Sequence, residues 1–336
     1  MPGMKLQPDP PLPKQVQIEP VGQCNLQCRM CLIRGRKQNG PAFMDRVLYR
    51  DLLSQFNGSE ELHLQGLGEP FLHPSIFDMV SHAAGRGLSV STNTNLTILS
   101  PGQAEACVRS GLNWMRVSLD GATPETYEAI RTGSRLQKVL RNLEMLSGAK
   151  QRAGSEFPRI YLVMVLMRTN LDELPEVIRL AHRYSINQVF VQNLCTGIFP
   201  ETGAHDQRLE DFFQKESLVG EGPERVTSVF REASNLAQDL QIVLRLPRLA
   251  SHAGIRHMRG RERCDWPWRA AYITYDGTAV PCCMIGLPER TNIGSMAQKG
   301  VRAIWNGEAY RRFRSQLDSD DPPPVCRSCS LYRGTF

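Results

Sequence analysis

The segment CNLQCRMC, residues 24–31, places Cys24, Cys28 and Cys31 at a C-x3-C-x2-C spacing within one short loop. Three thiolates at this spacing can bind three irons on one face of a cubane iron–sulfur cluster. The fourth iron then has no protein ligand and can bind and reduce another molecule, whereas a fourth cysteine would close the cluster into an electron carrier. A zinc site is the alternative, but zinc knuckles favour four ligands in two CxxC pairs. The segment therefore predicts an enzyme built around an open iron.

Strands and helices alternate on the C-terminal side of this loop. The predicted strands are short and apolar, and most are followed by a segment with the periodicity of an amphipathic helix. Because parallel strands must be joined by a crossover, which a helix provides, the alternation predicts a parallel sheet with right-handed connections. About six such units fit before Leu246, fewer than the eight that close a barrel. We therefore predict an α/β fold, a partial (β/α)6 TIM-like barrel, with strands at 16–18, 61–64, 88–92, 114–119, 160–167, 188–192 and 242–246.

The two ends of the chain depart from this pattern. The first residues are rich in proline, which predicts a flexible lead-in that fixes no fold. After Leu246 the regular periodicity falls, and five of the ten cysteines lie between Cys264 and Cys329. Because ligand sites in parallel α/β folds lie at the carboxyl ends of the strands, the cysteine loop belongs to that edge. The expected organisation is a lead-in at 1–14, a barrel domain at 15–247 and a small cysteine-rich module at 248–336.

The composition argues against several kinds of partner. A formal net charge of +6 over 336 residues is mild and the basic residues are scattered, so nucleic-acid binding is not expected. The densest basic segment, 256–263, is interpreted as solvated surface, or as a contact for an acidic electron donor or a phosphorylated substrate. The expected electron donor is of the flavodoxin or ferredoxin type. No apolar run reaches membrane-spanning length and no signal-peptide core is present, so we expect a cytoplasmic protein without a membrane partner. Cysteines in that compartment stay reduced, which favours metal binding over disulfides.

Polar residues follow three of the predicted strands. The segment QGLGEP contains Gly66 and Gly68, which let a backbone approach a ligand closely. It also contains Glu69, whose carboxylate can accept hydrogen bonds from an ammonium group. Asn93 and Ser118 lie near the ends of the next two strands, where short amide and hydroxyl side chains suit a ribose diol or a carboxylate. An ordinary tight turn is the alternative interpretation of such a segment.

Together these motifs resemble those of radical S-adenosylmethionine (SAM) enzymes with a C-terminal auxiliary-cluster module of the twitch type, a shortened SPASM domain. The resemblance extends from about Gln15 to the C-terminus. It implies a 4Fe-4S cluster on Cys24, Cys28 and Cys31, whose open iron binds the amino and carboxylate groups of SAM. It also implies reductive cleavage of SAM to a 5′-deoxyadenosyl radical. Met30 departs from the family, which usually has an aromatic residue beside the adenine, but a polarisable thioether can pack there too.

The resemblance also implies roles for the polar residues. QGLGEP resembles the family's GGEP motif, so Glu69 is expected to bind the amino group of SAM. Ser118 resembles the serine of the family's SxDG motif, and Asn93 belongs to a polar strand end of the kind that contacts SAM. Arg131 resembles the arginine that binds the SAM carboxylate. A planar guanidinium can donate two hydrogen bonds to a carboxylate at once and so suits this role better than a lysine. The alternatives are that Asp120 belongs to a helix-capping turn and that Arg131 is a surface charge.

The C-terminal cysteines match the twitch pattern. Cys264 and Cys282 are separated by seventeen residues, and Cys326 and Cys329 form a CxxC pair. Four thiolates complete a second 4Fe-4S cluster and leave no open iron, so electron transfer or structural support is its expected role. Cys282 is chosen over the adjacent Cys283 because it has the Gly-x4-Cys spacing, and Cys283 is interpreted as a packed thiol. Zinc would suit the same four cysteines, and only the presence of the first motif favours iron.

Cys195 follows the sixth predicted strand, on the same edge as the cysteine loop. A thiol S–H bond is weaker than most C–H bonds, so this thiol can give a hydrogen atom to a substrate radical, as a cysteine does in radical epimerases. An inert strand-end thiol is the alternative. Two reactions are therefore expected: epimerisation with Cys195 as the hydrogen donor, or two-electron dehydrogenation with the auxiliary cluster as the electron acceptor.

The expected substrate is a small, polar, carbohydrate-like molecule, because twitch-type relatives often act on sugars, aminocyclitols or nucleosides. Peptide-modifying relatives commonly carry a leader-recognition domain, whereas only about fifteen residues precede the first predicted strand. Two alternatives stay open. One is a peptide-modifying (RiPP) maturase, and the other is a non-enzymatic iron–sulfur protein that transfers electrons or senses redox state.

Overall fold

A single sheet organises the molecule. The computed structural model describes residues 9–35, 42–194, 207–218, 221–247, 264–327 and 329–333. The strands are β1 (Gln15–Ile18), β2 (Glu61–Leu64), β3 (Ser89–Thr94), β4 (Leu112–Ser118), β5 (Arg159–Leu166), β6 (Gln188–Asn193), β7 (Val243–Arg245), β8 (Ala270–Ile273), β9 (Thr278–Val280) and β10 (Gly294–Ser295). The longer helices are α1 (Arg46–Gln55), α2 (Ile76–Ala84), α3 (Pro101–Arg109), α4 (Pro124–Ile130), α5 (Leu136–Arg152), α6 (Leu174–Arg183), α7 (Gln207–Glu216) and α8 (Pro223–Asp239). Short helices follow: α9 (Trp266–Arg269), α10 (Met296–Lys299), α11 (Val301–Trp305), α12 (Glu308–Leu317), α13 (Pro324–Arg327) and α14 (Ser330–Arg333).

The strand order is β10-β9-β8-β1-β2-β3-β4-β5-β6-β7. Strands β1 to β7 are parallel, and each lies beside the next strand in the chain. Strand β8 also pairs in parallel with β1, with Ile273 opposite Ile18, while β9 and β10 pair antiparallel. Among the described strands β7 and β10 do not pair, so the sheet is open. The predicted α/β fold with an open parallel sheet is confirmed, and the C-terminal module extends that sheet.

One face of the sheet packs against the helices. Leu62, Val90, Met115, Leu162 and Val189 lie on this face and belong to the main apolar core. Because side chains alternate along a strand, their sequence neighbours point to the other face. The helices begin at side chains that cap them; Asp45, for example, accepts two backbone N–H groups of the first turn of α1. In the described part of the chain, no helix is both long and apolar enough to cross a membrane.

The proline-rich segment before β1 makes defined contacts from residue 9 onward. Asp9 pairs with Arg311 of α12 at 2.6 Å. The carbonyl of Pro11 accepts a hydrogen bond from Trp305 Nε1 at 3.0 Å, and Leu12 packs against the core. Composition alone predicts a flexible lead-in, because it does not show that these carbonyls and side chains face α11 and α12. Residues 9–14 therefore help to join the C-terminal module to β1.

Candidate active site

The cysteine loop is fixed by its main chain at the carboxyl end of β1. The backbone N–H of Gln27 donates to the carbonyl of Thr132, and that of Arg29 donates to the carbonyl of Ile130, both at 2.9 Å. The loop is therefore paired with the chain that leaves α4. Leu26 is buried beneath it, with 4% of its surface exposed. Because the backbone is held on both sides of Cys28, the loop positions its thiols without depending on their side chains.

The three thiols of this loop are suited to bind a positively charged group. Burial raises the pKa of Cys24 to about 12 and also raises the pKa values of Cys28 and Cys31. Negative charge on Cys28 or Cys31 contributes to the raised pKa of Cys24, so the thiolates repel one another. Such a set is stable as thiolates only when a cation lies among them, which the irons of a cluster provide. The residues present therefore fit the predicted three-thiolate cluster.

Glu69 is a buried carboxylate beside this loop, with 3% of its surface exposed. Its Oε1 accepts hydrogen bonds from Phe71 N at 3.1 Å and Thr94 Oγ1 at 2.7 Å, and its Oε2 accepts one from Asn95 N at 2.7 Å. These neutral donors only partly offset burial, which raises the pKa of Glu69 above its ordinary value. Its negative charge also raises the pKa of Cys24. An ammonium group bound beside the cluster would therefore stabilise the ionised form of Glu69.

The two glycines before Glu69 allow close approach of neighbouring protein segments. A Cβ on Gly68 would lie 2.1 Å from the carbonyl oxygen of Val21, at the start of the cysteine loop. A Cβ on Gly66 would lie 2.2 Å from the side chain of Glu19, whose Oε1 accepts a hydrogen bond from Leu67 N at 2.8 Å. Both positions require glycine because a side chain would push these segments apart. Contact of Gly66 and Gly68 with SAM stays a prediction.

The end of β3 contributes amide groups to the same edge. The Oδ1 atom of Asn93 is buried and has no hydrogen-bond partner. An unsatisfied buried acceptor costs about 1–3 kcal/mol, which a hydroxyl donor from a bound ribose would recover. Asn95, which the sequence analysis did not single out, lies with its Nδ2 3.7 Å from Cys24 Sγ. Ser118 ends the adjacent strand β4 and is partly exposed, so the predicted polar residues of the two strands lie at one edge.

Arg131 forms a buried ion pair and is not a surface charge. Its Nε lies 2.8 Å from Oδ2 of Asp120, which is fully buried. Burial raises the pKa of Asp120 although Arg131 opposes that shift. Burial also opposes the charge on Arg131, but Asp120 and Cys28 outweigh it and raise the arginine's pKa. Helix α4 is capped by Thr123, so neither the surface-charge nor the capping-turn interpretation holds. Binding of the SAM carboxylate by Arg131 stays a prediction.

This ion pair gives a stability prediction. Arg131→Met is expected to lower the free energy of unfolding by about 3–5 kcal/mol, because it leaves a buried carboxylate without its partner. The matched control is Arg135→Met, which removes an exposed arginine paired with Glu128 and is expected to cost about 1 kcal/mol or less. Urea unfolding of the metal-free proteins measures both. Equal losses in the two variants would contradict the assignment of Asp120 and Arg131 as a buried pair.

The C-terminal cysteines lie together in the fold. Burial, with a smaller contribution from charge on Cys329, raises the pKa of Cys264 to about 11 and that of Cys283 to about 12. Burial and the charges of Cys326 and Cys329 also raise the pKa of Cys282. The thiols therefore share one electrostatic environment that a cationic cluster would stabilise. Cys282 and Cys283 both lie within this environment, so the choice of Cys282 as the cluster ligand stays a prediction. In the described ranges no three Cys, His, Asp or Glu side chains converge tightly enough to hold a single metal ion.

Two residues that sequence analysis missed lie between the two cysteine sites. Glu19 follows β1 and contacts the loop after β2, while its Oε2 lies 3.5 Å from the donor Tyr275 N after β8. Tyr272 of β8 is buried, and its pKa is raised by burial and by the charges of Glu19, Cys283 and Cys282. These contacts exist because β8 pairs with β1. The sequence contains no local signal for that pairing, so neither residue could be singled out.

The sheet face opposite the helices also carries residues that sequence analysis missed. We define the inner face as His63, Ser91, Trp114, Arg116, Tyr161, Phe190 and Arg245, one or two residues from each of β2 to β7. Its rings form a row across the sheet, with centroids 5.5 Å apart from His63 to Trp114, 6.2 Å from Trp114 to Tyr161 and 6.0 Å from Tyr161 to Phe190. Burial lowers the pKa of His63 to about 4, so its imidazole is neutral at pH 7. The inner face therefore offers flat apolar surfaces with positive charge supplied by arginines.

Helix α7 covers the outer side of the cysteine loop. Phe212 and Phe213 belong to a small apolar cluster against which Met30 packs. Packing of the Met30 thioether beside the adenine of SAM stays a prediction. The guanidinium of Arg29 lies 4.8 Å from the ring of Phe212. Two other sequence predictions, the hydrogen donor Cys195 and the basic segment 256–263, lie outside the described residues.

Comparison with known proteins adds two family matches. A model of the radical SAM superfamily matches residues 18–181, and a model of the SPASM iron–sulfur cluster-binding domain matches residues 264–330. The tungsten-containing aldehyde ferredoxin oxidoreductase cofactor-modifying protein of Pyrococcus furiosus is 25% identical over 335 residues, 95% of this chain and 87% of that protein. Mycofactocin maturase MftC of Mycobacterium tuberculosis is 28% identical over 162 residues, but this match spans only 48% of this chain and 40% of MftC.

A solved structure with a similar fold is Streptococcus suis SuiB bound to S-adenosylmethionine. It superimposes with a TM-score of 0.69 at 15% sequence identity, covering 96% of this chain and 72% of SuiB. The complex of SuiB with its precursor peptide SuiA gives a TM-score of 0.63 at 16% identity, covering 96% of this chain and 71% of SuiB. At these identities the likeness concerns the fold alone.

Proposed function

Because the chain belongs to the radical SAM superfamily and carries a C-terminal SPASM domain, we propose that it is a maturase, an enzyme that modifies a peptide by radical chemistry. The radical SAM domain binds SAM and a 4Fe-4S cluster, and the SPASM domain binds auxiliary iron–sulfur. The names of two relatives support this class, since one is a cofactor-modifying protein and the other a maturase. The fold supports a peptide substrate, since SuiB accommodates a precursor peptide on the same architecture.

The site residues would divide the work as follows. When bound, SAM and the cluster on Cys24, Cys28 and Cys31 supply a radical that removes a hydrogen atom from the substrate, and the auxiliary cluster supplies an electron acceptor. Glu69 accepts hydrogen bonds from the ammonium group of SAM, and its burial strengthens that interaction by excluding water. Asn93 offers its unpaired buried Oδ1 to a hydroxyl of the cofactor.

One observation carries the choice of a peptide: the inner face is open at β7. Val243 is 60% exposed, and Arg245, on the same face, is exposed as well. A site for a small polar molecule usually buries 70–90% of its ligand. A sheet face whose edge carries exposed side chains instead suits an extended chain that continues past the site. Among the described strands β7 is an edge strand, so a main chain lying along it would also find backbone groups to pair with.

A carbohydrate-like substrate, with epimerisation or dehydrogenation as its outcome, is the competing proposal. It rests on the resemblance to twitch-type enzymes, and Cys195 is its proposed hydrogen donor. No contact among the described residues favours a sugar over a peptide. The two proposals share SAM cleavage and differ in the molecule that consumes the radical.

The test is a substrate-dependent rise in 5′-deoxyadenosine. Protein reconstituted anaerobically with iron and sulfide is reduced with dithionite in the presence of SAM. It is then offered peptides translated from the reading frames beside its gene, or a matched panel of sugars, aminocyclitols and nucleosides. We expect peptides to increase 5′-deoxyadenosine formation. We also expect the peptide product to differ in mass from the substrate, or to contain deuterium when the reaction is run in heavy water. Stimulation by the carbohydrate panel alone would favour the competing proposal, and no 5′-deoxyadenosine under any condition would favour a non-enzymatic redox protein.

A further inference from the structure

Two positive charges lie on the inner face without an acid beside them. The guanidinium carbon of Arg116 lies 4.5 Å from the ring centroid of Trp114 and 4.6 Å from that of Phe190. The guanidinium of Arg245 lies 5.9 Å from the same Phe190 ring. Within the described ranges neither arginine pairs with a carboxylate, and the buried Nε of Arg116 has no acceptor. Since a buried donor is costly without an acceptor, the Nε of Arg116 calls for an anion from outside the described residues, and the exposed charge of Arg245 beside it favours one.

A second arginine that contacts two rings shows what a structural role looks like in this protein. The guanidinium carbon of Arg314 lies 4.2 Å from the ring centroid of Trp305 and 4.4 Å from that of Tyr310. It also donates to the carbonyls of Pro267 and Trp305, both at 2.8 Å, and so ties α12 to α9 and α11. Arg116 also contacts two rings, but among the described residues it makes no such bond. Packing against the rings therefore explains the position of the Arg116 side chain but leaves its buried Nε without an acceptor in the described part of the chain.

The ring contacts leave the hydrogen-bonding capacity of the guanidinium unused. The faces of Trp114 and Phe190 attract the cation but offer no acceptor in the plane of its N–H groups. A carboxylate approaching in the plane can accept two of these N–H groups at once. Burial and the positive charge of Arg245 lower the pKa of Arg116, and a bound anion would offset both effects. The exposed position of Arg245 gives such an anion a way in from solvent.

The position of Arg116 connects this pair to the reaction site. Arg116 is the register partner of Asn93 on β3 and precedes Ser118 by two residues, and both of these are predicted SAM contacts. We propose that Arg116 and Arg245 bind a carboxylate of the substrate, from an acidic side chain or a free C-terminus, and so determine which part of the substrate faces the cofactor. The assignment of this carboxylate to a peptide rests on the proposed function, whereas the binding of a carboxylate by the two arginines does not.

Binding of short peptides tests this proposal without any turnover. Titration calorimetry on the reconstituted protein compares acetyl-Gly-Glu-Gly-amide with its neutral counterpart acetyl-Gly-Gln-Gly-amide. It also uses acetyl-Gly-Gln-Gly with a free C-terminus and inorganic phosphate. We expect at least one carboxylate peptide to bind and the neutral peptide to bind at least about tenfold more weakly. Arg116→Met and Arg245→Met should each weaken carboxylate binding by a similar factor. The matched control Arg179→Met removes an exposed arginine of α6, on the helix side of the sheet, and should leave binding unchanged.

Each outcome decides the proposal. Equal binding of the neutral and charged peptides, or unchanged carboxylate binding in Arg245→Met, overturns it. Tighter binding of phosphate than of either carboxylate peptide overturns the ligand class. Because Arg245 is exposed, its variant is expected to fold even where Arg116→Met does not, and thermal unfolding of both variants checks this. If the protein binds carboxylate peptides but turns over no peptide, the proposed function is wrong and this inference stands. If it turns over a peptide without preferring carboxylates, this inference is wrong and the proposed function stands.

Discussion

Replacement of Cys28 by alanine is expected to abolish 5′-deoxyadenosine formation and to remove about four irons per chain. Cys28 is the central thiol of the loop, is 8% exposed, and lies where the charge of Arg131 lowers its pKa against the effect of burial. Loss of an outer partner of a metal ligand typically costs about 10–100-fold in affinity or activity, so loss of a direct ligand should cost more than about 100-fold. Iron analysis and chromatography of the reduced, SAM-treated protein measure both effects.

Cys107→Ala is the control for this experiment. Cys107 lies in α3, is fully buried, and belongs to neither cysteine site, so its change removes a thiol of similar burial without removing a ligand. It should keep its iron and its SAM cleavage, with a stability loss of about 1 kcal/mol. If the Cys28 variant cleaves SAM at the rate of the control, the 24–31 loop does not hold the cluster that cleaves SAM.

Much of the fold could be predicted because its signals are local. The segment ELHL is a strand at 61–64, as predicted, and the helical periodicity of residues 223–240 corresponds to α8 (Pro223–Asp239). The family resemblance and the two kinds of cofactor it implied are also confirmed by the family matches. These features follow from spacing and periodicity within short stretches of chain, which is the information that a single sequence holds.

The pairing of distant segments could not be predicted. Strand β8 has the sequence AAYI, and nothing in four small or apolar residues indicates that it lies parallel to β1 rather than in a separate sheet. The contact of Glu19 with the loop after β8 depends on that pairing, so Glu19 was missed. Arg116 was missed for the same reason, because Phe190, one of the two rings that its guanidinium contacts, comes from another strand.

Polar site residues were found where a motif marked them and were missed or misjudged where tertiary contacts define them. Glu69 stands out in the sequence because it follows two glycines, and the structure places it beside the thiol of Cys24. Asp120 could equally belong to a turn, and only the fold brings it to Arg131. A carboxylate and a guanidinium eleven residues apart become a buried pair because α4 folds back over the end of β4.

Replacement of Cys329 by alanine is expected to impair the C-terminal cysteine site and leave the site at residues 24–31 intact. Cys329 is 9% exposed, and its charge raises the pKa values of Cys264, Cys282, Cys283 and Cys326. Its loss should remove about four of about eight irons and slow conversion of substrate by more than about 100-fold. SAM cleavage should persist, because Cys24, Cys28 and Cys31 are untouched. Iron, zinc and sulfide analysis, with 5′-deoxyadenosine and product measured in the same reactions, follows all of these quantities.

The same measurements decide which of two neighbouring thiols is a ligand and which metal the module holds. Cys282→Ala should reproduce the iron loss of Cys329→Ala, whereas Cys283→Ala should retain its iron if that thiol only packs. The reverse result would move the ligand to Cys283, whose thiol shares the environment of Cys264 and Cys329. If zinc is found in place of the second set of irons, the module cannot transfer electrons, because zinc has no redox chemistry. Cys329→Ala would then lower stability and leave the electron balance of the reaction to another acceptor.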